Sequence, residues 1–164
     1  NVPQATWIDE AGVIVRPPEN AGSSDAFRKM DRLTKQMQPE QVAERERTKK
    51  AYVAAVRDWV RNGPASEFVY DAASVRARLS LPDAAIAEAH AHFRLAQCLL
   101  RRGGREEAAV HFSEASRLHP DSWCIWRQAA QKDAMGLAAG PEFWARVDAL
   151  GDRPYHRPID MKGI

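Results

Sequence analysis

The sequence has few cysteines, little excess charge and no long apolar run. Only two of its 164 residues are cysteine, which excludes a small secreted scaffold held together by several disulfides. Its 24 basic and 22 acidic residues leave a formal net charge of +2, too even for a protein that binds nucleic acid by neutralising phosphates. No apolar run approaches the length of a membrane-spanning helix, about 18 residues. We therefore expect neither nucleic acid nor a membrane as a partner.

The rest of the composition is that of a globular protein. Hydrophobic residues make up 45% of the chain and charged residues 28%, so global disorder is excluded. A length of 164 residues corresponds to one domain, or to one domain and a fragment. The sequence shows no signal peptide and starts at Asn1, just before a strand-like run. We expect a cytoplasmic protein with a further segment upstream of Asn1.

Cys98 and Cys124 leave three interpretations. They form no CxxC pair, which favours two reduced thiols that pack as small apolar side chains. A disulfide would require Cα atoms within about 7 Å, and the spacing alone does not decide this. A catalytic thiol would need a lowered pKa. Cys98 lies inside a helical run, residues 93–100, without the strand-to-helix turn that would lower the pKa of its thiol.

Residues 1–24 predict a β-hairpin followed by a linker. Residues 5–8 and 13–15 are rich in β-branched and aromatic side chains, and the turn between them ends in Gly12, which accepts a positive φ. Residues 16–24 contain two prolines, a glycine and two serines, a composition typical of a linker. Because a two-stranded hairpin is only marginally stable alone, this one has to pack on or pair with another element.

Residues 25–150 predict a mainly α-helical domain. Apolar residues at helical spacing, with capping and breaking residues at the boundaries, predict helices over residues 25–33, 40–62, 71–79, 82–102, 105–118, 121–133 and 141–150. The long helix 40–62 is expected to cover one end of the pair 82–102 and 105–118. Residues 151–164 are expected to form an extended, proline-containing tail.

Residues 89–122 contain the most specific pattern in the sequence. Small and large residues alternate at the spacings of a helix–turn–helix unit: Leu95, Ala96, Leu99, Ala108, Phe112, Ala115 and Pro120. This unit resembles a tetratricopeptide repeat, although His92 stands where that family usually has tryptophan. The resemblance implies antiparallel helix pairs that belong to a right-handed α-solenoid fragment.

The same resemblance implies a binding groove for a protein or peptide. In this family, the first helix of each unit lines the groove, and the corresponding residues here are His90, Phe93, Gln97, Leu100 and Arg101. The version of the groove that grips a C-terminal carboxylate uses lysine and asparagine. Here Phe93 and Gln97 stand at those places, so the partner expected is a protein or peptide held in another way.

The first residues carry a second resemblance. Val2-Pro3, Trp7-Ile8-Asp9, Gly12 and the strand 13–15 follow the order of the late part of a thioredoxin fold in bacterial redoxins that carry a helical extension. This resemblance implies that Pro3 is a cis-proline that lies against a reactive sulfur, and that the redox centre lies upstream of Asn1. It also implies that the hairpin is the remnant of a larger sheet. We then expect residues 4–16 either to self-associate or to be mobile, because their strand edges have lost their neighbours.

The histidines and tryptophans do not predict a metal or cofactor site by spacing alone. His90 and His92 point about 200° apart on a helix, so they cannot chelate one ion together. Glu88 and His92 lie four residues apart and could share an ion, but no third ligand is fixed by spacing. The tryptophans are expected to pack in the core. We therefore expect no metal and no cofactor.

Three functions from different classes remain open at this point. The first is the helical C-terminal region of a redoxin-like protein, which lacks the redox-active cysteine motif and serves protein–protein interaction or scaffolding. The second is a free-standing tetratricopeptide-like module that binds a peptide or protein. The third is an enzyme of unknown class, for which no nucleophile elbow or phosphate-binding glycine loop is present.

We expect the chain to lack dithiol reductase activity because it contains no CxxC motif. In an insulin-reduction assay with dithiothreitol, turnover should equal that of the reagent alone. Turnover well above this blank, lost after Cys98→Ser or Cys124→Ser, would contradict the expectation.

Overall fold

The structure is a computed structural model that describes residues 4–79 and 81–164. It is mainly helical and contains a two-stranded antiparallel sheet, which confirms the predicted fold class at this level. The chain divides into two compact units. The sheet unit comprises Asn1–Ser80 and Leu150–Ile164, and the helical unit comprises Leu81–Ala149. This division differs from the predicted segments 1–24, 25–150 and 151–164, because the tail belongs to the same unit as the hairpin.

The hairpin consists of β1 (Gln4–Ile8) and β2 (Ile14–Asn20), which pair antiparallel. The carboxylate of Asp9 closes the turn by accepting hydrogen bonds from the backbone N–H groups of Ala11 and Val13, and Gly12 has the positive φ of 80° that the turn requires. The prediction of a linker over residues 16–24 was wrong for residues 16–20, because β2 continues through Pro17 and Pro18 to Asn20. An edge strand tolerates proline where no partner strand needs its N–H, and bulges interrupt the register here.

The inner face of the hairpin packs on a long helix of the same unit. This helix, α1 (Pro39–Asn62), begins after a capping box at Gln38 and ends before Gly63. Trp7 is only 3% exposed, donates a hydrogen bond of 3.0 Å from Nε1 to the hydroxyl of Tyr52 and stacks on Trp59 at 5.0 Å. Burial raises the pKa of the Tyr52 phenol. The Trp7 face of the hairpin is therefore covered within its own unit.

Arg16 of β2 is buried in the middle of the sheet unit, at 1% exposure. Its Nε donates to the carboxylate of Glu19 at 2.5 Å. Its two terminal nitrogens donate to the backbone carbonyls of Phe68, at 2.7 Å, and of Asp160. The guanidinium also lies 4.6 Å from the ring centre of Tyr70, a distance at which a cation is attracted to the ring face. One side chain thus joins β2, the segment after α1 and the tail.

The tail has no regular secondary structure, but it is packed against the rest of the sheet unit. Tyr155, Ile159 and Met161 are buried. The short helix α2 (Ala72–Arg78) begins at the N-cap Asp71, and Arg78 at its end binds the carboxylate of Asp160 at 2.8 Å. Near the short 3₁₀ helix Asp25–Lys29, Arg28 donates to backbone carbonyls of the tail's first residues.

The helical unit is built on two antiparallel helices, α3 (Ala84–Arg101) and α4 (Arg105–Leu118). The turn between them contains Gly103, with a φ of 88° that favours glycine. At one end of the pair Ala96 packs with Ala108, and at the other Ala89 packs with Ala115. These side chains are fully or almost fully buried, so the helices approach closely where the sequence predicts small residues. Helix α3 begins at Ala84, after the N-cap Asp83, two residues later than the predicted start at residue 82.

Two shorter helices complete the helical unit. Helix α5 (Trp123–Ala129) is shorter than the predicted 121–133, and its Ile125 is buried against Ala89 and Ala115. Helix α6 (Pro141–Asp148) buries Phe143, Trp144 and Val147, as the sequence predicts. The residues between the two helices form turns and irregular backbone, because Gly136, Gly140 and Pro141 interrupt the helical pattern.

Replacement of Ala108 by leucine should destabilise the helical unit by roughly 1–3 kcal/mol, because the added atoms overpack the α3–α4 interface. Ala109→Leu is the matched control, since Ala109 lies next to it on α4 but is exposed. Denaturant unfolding followed by circular dichroism gives the comparison. Equal unfolding midpoints for the two variants would contradict the close contact.

Removal of the Arg16 side chain should destabilise the sheet unit by about 3–5 kcal/mol, because it leaves the largely buried Glu19 carboxylate without its partner. Arg16→Ala is compared in thermal and denaturant unfolding with Arg76→Ala, which removes an exposed arginine from α2. Arg16→Lys should recover only part of the loss, because an ammonium cannot reproduce the planar fork of three donors. If Arg16→Ala and Arg76→Ala cost the same, the role given to Arg16 is wrong.

Candidate functional site

A row of polar side chains runs along one face of α3 in the helical unit. Its side chains at helical spacing are His90, Arg94, Gln97 and Arg101, which we call the α3 strip. They follow one another at intervals of four, three and four residues, so they share a face about 16 Å long. His90, Arg94 and Arg101 are exposed, and Gln97 is half-buried. Nη1 of Arg94 donates to Oε1 of Gln97 at 3.2 Å, which joins the middle of the strip.

The five residues predicted for the groove lie in different surroundings. His90, Gln97 and Arg101 belong to the α3 strip, and Leu100 flanks it with 41% of its surface exposed. Phe93 instead packs in the α3–α4 interface, where its ring lies 5.9 Å from that of Phe112. The surface is therefore more polar than the predicted groove.

Arg94 completes the strip and was not among the predicted residues. Its position, four residues after His90 and three before Gln97, was a sufficient signal for the same helix face. With Arg94 included, two arginines lie on this face. The only acidic residue of α3, Glu88, has its carboxylate 3.9 Å from Nε2 of His92, and it does not share the spacing of the strip. The charge of the α3 strip is therefore positive.

Two pairs of histidines meet across the α3–α4 interface. Nδ1 of His92 on α3 lies 2.8 Å from Nδ1 of His111 on α4, and the ring centres are 5.0 Å apart. The rings of His90 and His119 are 6.0 Å apart in a T-shaped arrangement. Their different partners agree with the prediction that His90 and His92 point in different directions. Among residues 4–79 and 81–164, no group of three or more His, Cys, Asp or Glu side chains is placed to hold a metal ion.

The sheet unit contains a small pocket of about 210 Å³. Its lining includes Pro17, Tyr70, Arg78, His156 and Asp160. The ring of Tyr70 lies between the guanidinium groups of Arg16 and Arg78, and the bond from Arg78 lowers the pKa of the Asp160 carboxyl. Because these groups are bonded to one another, and because the volume is below the roughly 300 Å³ typical of small-molecule sites, this pocket is a weaker candidate than the α3 strip.

His156 lies at the side of this pocket and faces Asp25. Nε2 lies 3.2 Å from Oδ1 of Asp25, and the ring stacks near that of Phe27. Burial lowers the pKa of His156, and the charge of Asp25 opposes this effect only in part. The imidazole therefore acts as a packed polar group of the sheet unit.

The remaining sequence-predicted features bear on redox chemistry. Pro3, the predicted cis-proline, lies outside the described residues. Cys98 on α3 is half-buried and Cys124 on α5 is exposed, and neither forms a disulfide. The predicted self-association through residues 4–16 stays a prediction; within this segment Ile8 and Val13 are 52% and 54% exposed.

Comparisons of the chain with models of known protein families, with curated proteins and with solved structures found no match. Within the described residues, every helix is too short or too polar to cross a bilayer.

Proposed function

We propose that the chain is the helical region of a redoxin-like protein and that its helical unit is a tetratricopeptide-like module which binds an acidic protein segment along the α3 strip. The observation that carries the proposed binding is the row of polar side chains along α3, in which Gln97 is half-buried and His90, Arg94 and Arg101 are exposed. The helix is held in place by α4, on which it packs through another face. The packed helix pair holds the backbone that carries these side chains in place, so no backbone has to be ordered when a partner binds.

The charge of the strip indicates the chemistry of the partner. Two arginine side chains about 10 Å apart along the helix suit carboxylates spaced along an extended or helical segment, and arginine binds carboxylates in bidentate geometry. Leu100 beside the strip offers an apolar contact. A segment in which glutamate or aspartate alternates with leucine-like residues fits both features.

The redoxin part of the proposal is supported by the start of the chain. The residues from Val2 to Val15 follow the order of the late redoxin motif. Within this segment the chain turns at Gly12, between the two strands of the hairpin. In such a protein, a helical extension would hold a partner near a redox centre that this chain does not itself contain. A free-standing tetratricopeptide-like binding module is the alternative, and it requires the same use of the α3 strip.

The proposed binding is tested with a fluorescein-labelled peptide of alternating glutamate and leucine. Fluorescence anisotropy should report binding to the full chain that weakens as salt is raised, because salt screens exposed charges. The double variant Arg94→Glu/Arg101→Glu should weaken binding at least about tenfold, equivalent to about 1.4 kcal/mol.

The matched control is Arg57→Glu/Arg61→Glu, which makes the same change of charge at two exposed positions of α1. This control should bind the peptide like the unchanged chain. Equal losses in the two double variants would show attraction by overall charge alone. Equal binding of a peptide of alternating lysine and leucine would also contradict the proposal.

A further inference from the structure

The pair His92 and His111 brings two imidazole nitrogens from different helices within hydrogen-bond distance. Each helix supplies one ring, and the two Nδ1 atoms face each other at 2.8 Å. The ring planes are inclined by only 36°. Both residues are half-buried, so the pair borders solvent and an ion can reach it.

Two facing imidazole nitrogens can share one proton or one metal ion. In the neutral pair, one Nδ1 carries the proton and the other accepts it. In a square-planar site, two neighbouring nitrogen ligands bind the ion at a right angle. If each lies about 2.05 Å from the ion, the two nitrogens are about 2.9 Å apart, close to the 2.8 Å between the two Nδ1 atoms. Binding of one ion by both atoms requires the rings to rotate about their Cβ–Cγ bonds from this facing arrangement until the two lone pairs converge.

Glu88 supplies a second and independent feature of a metal site. Its Oε1 lies 3.9 Å from Nε2 of His92, within ion-pair distance, so the carboxylate has to move closer to accept a hydrogen bond from Nε2. When Nδ1 of a histidine binds a metal, Nε2 carries the proton, and a carboxylate beside it fixes this tautomer and makes the ring a better ligand. Nearby, Glu114 is bound to Arg117, and this hydrogen bond lowers the pKa of the Glu114 carboxyl.

We propose that His92 and His111 bind one divalent transition-metal ion through their Nδ1 atoms, with Glu88 as the carboxylate that positions His92 and with water in the remaining coordination sites. Imidazole ligands suit Cu²⁺, Ni²⁺ and Zn²⁺, and Cu²⁺ binds most tightly to a given set of nitrogen ligands. Because the ion would join α3 to α4, it would also stabilise the helical unit. This site does not depend on the proposed use of the α3 strip.

The pair His90 and His119 provides an internal comparison. It lies across the same interface, but its rings are T-shaped and 6.0 Å apart, which does not bring two ring nitrogens to a common point. Substitution of either pair by phenylalanine keeps a ring of similar size in the interface. Both sets of variants replace histidine by phenylalanine, but only one of them removes a pair whose ring nitrogens face each other at 2.8 Å.

The test is a titration of the untagged full chain with CuCl₂, followed by calorimetry and electron paramagnetic resonance. We expect the tightest site to take one equivalent of Cu²⁺ and to show coupling to two imidazole nitrogens. His92→Phe or His111→Phe should weaken this site at least about tenfold, whereas His90→Phe and His119→Phe should leave it unchanged. Circular dichroism of each variant checks that the helices remain folded.

Two further measurements test the site without depending on the phenylalanine variants. Sub-stoichiometric Cu²⁺ should broaden the ring resonances of His92 and His111 in the unchanged chain before those of the other histidines. Glu88→Gln should weaken Cu²⁺ binding by about 10- to 100-fold while the two-nitrogen spectrum is retained. Tight binding that persists in the double variant His92→Phe/His111→Phe, or broadening that starts at other histidines, overturns the proposal.

Discussion

The buried guanidinium of Arg16 is the interaction on which the sheet unit depends. A charge at 1% exposure is costly to remove from water unless its donors are bonded. Here they are bonded to Glu19 and to the carbonyls of Phe68 and Asp160. These three partners come from β2, from the segment after α1 and from the tail. The charge is therefore satisfied only when all three segments are in place, so the unit forms as a whole.

This dependence explains how a proline-containing strand and a tail without regular structure belong to one folded unit. Tyr70 extends the network, because its hydroxyl donates to the carbonyl of Asp160 and its ring lies between Arg16 and Arg78. Trp7, the cross-strand partner of Arg16, is covered by α1. Pairing of this hairpin with further strands would therefore have to use its strand edges and the exposed end near Ile8 and Val13, and not the Trp7 face.

Local sequence patterns predicted the helices well, because their causes lie within a few residues of each boundary. The observed Pro39–Asn62 and Arg105–Leu118 lie within one residue of the predicted 40–62 and 105–118. The course of β2 and the packing of the tail could not be predicted in this way, because Arg16 and Asp160 are 144 positions apart. Three of the five predicted groove residues, His90, Leu100 and Arg101, are exposed, because the helical spacing of polar and apolar residues indicates which face of α3 meets solvent. Phe93 packs against Phe112 of α4, a contact between two helices that the pattern of α3 alone does not indicate.

The close approach of α3 and α4 links the packing of the helical unit to its chemistry. Ala96 and Ala89 allow the two backbones to come near each other, and His92 lies on α3 between them. With larger side chains at these positions the helices would separate, and the Nδ1 atoms of His92 and His111 would lose their 2.8 Å contact. The α3 strip lies on a different face of α3 from Ala89 and Ala96, although its first residue, His90, contacts His119 at the end of α4. The same small residues that make the pair stable therefore control the proposed metal site, while the proposed peptide surface depends on its own side chains.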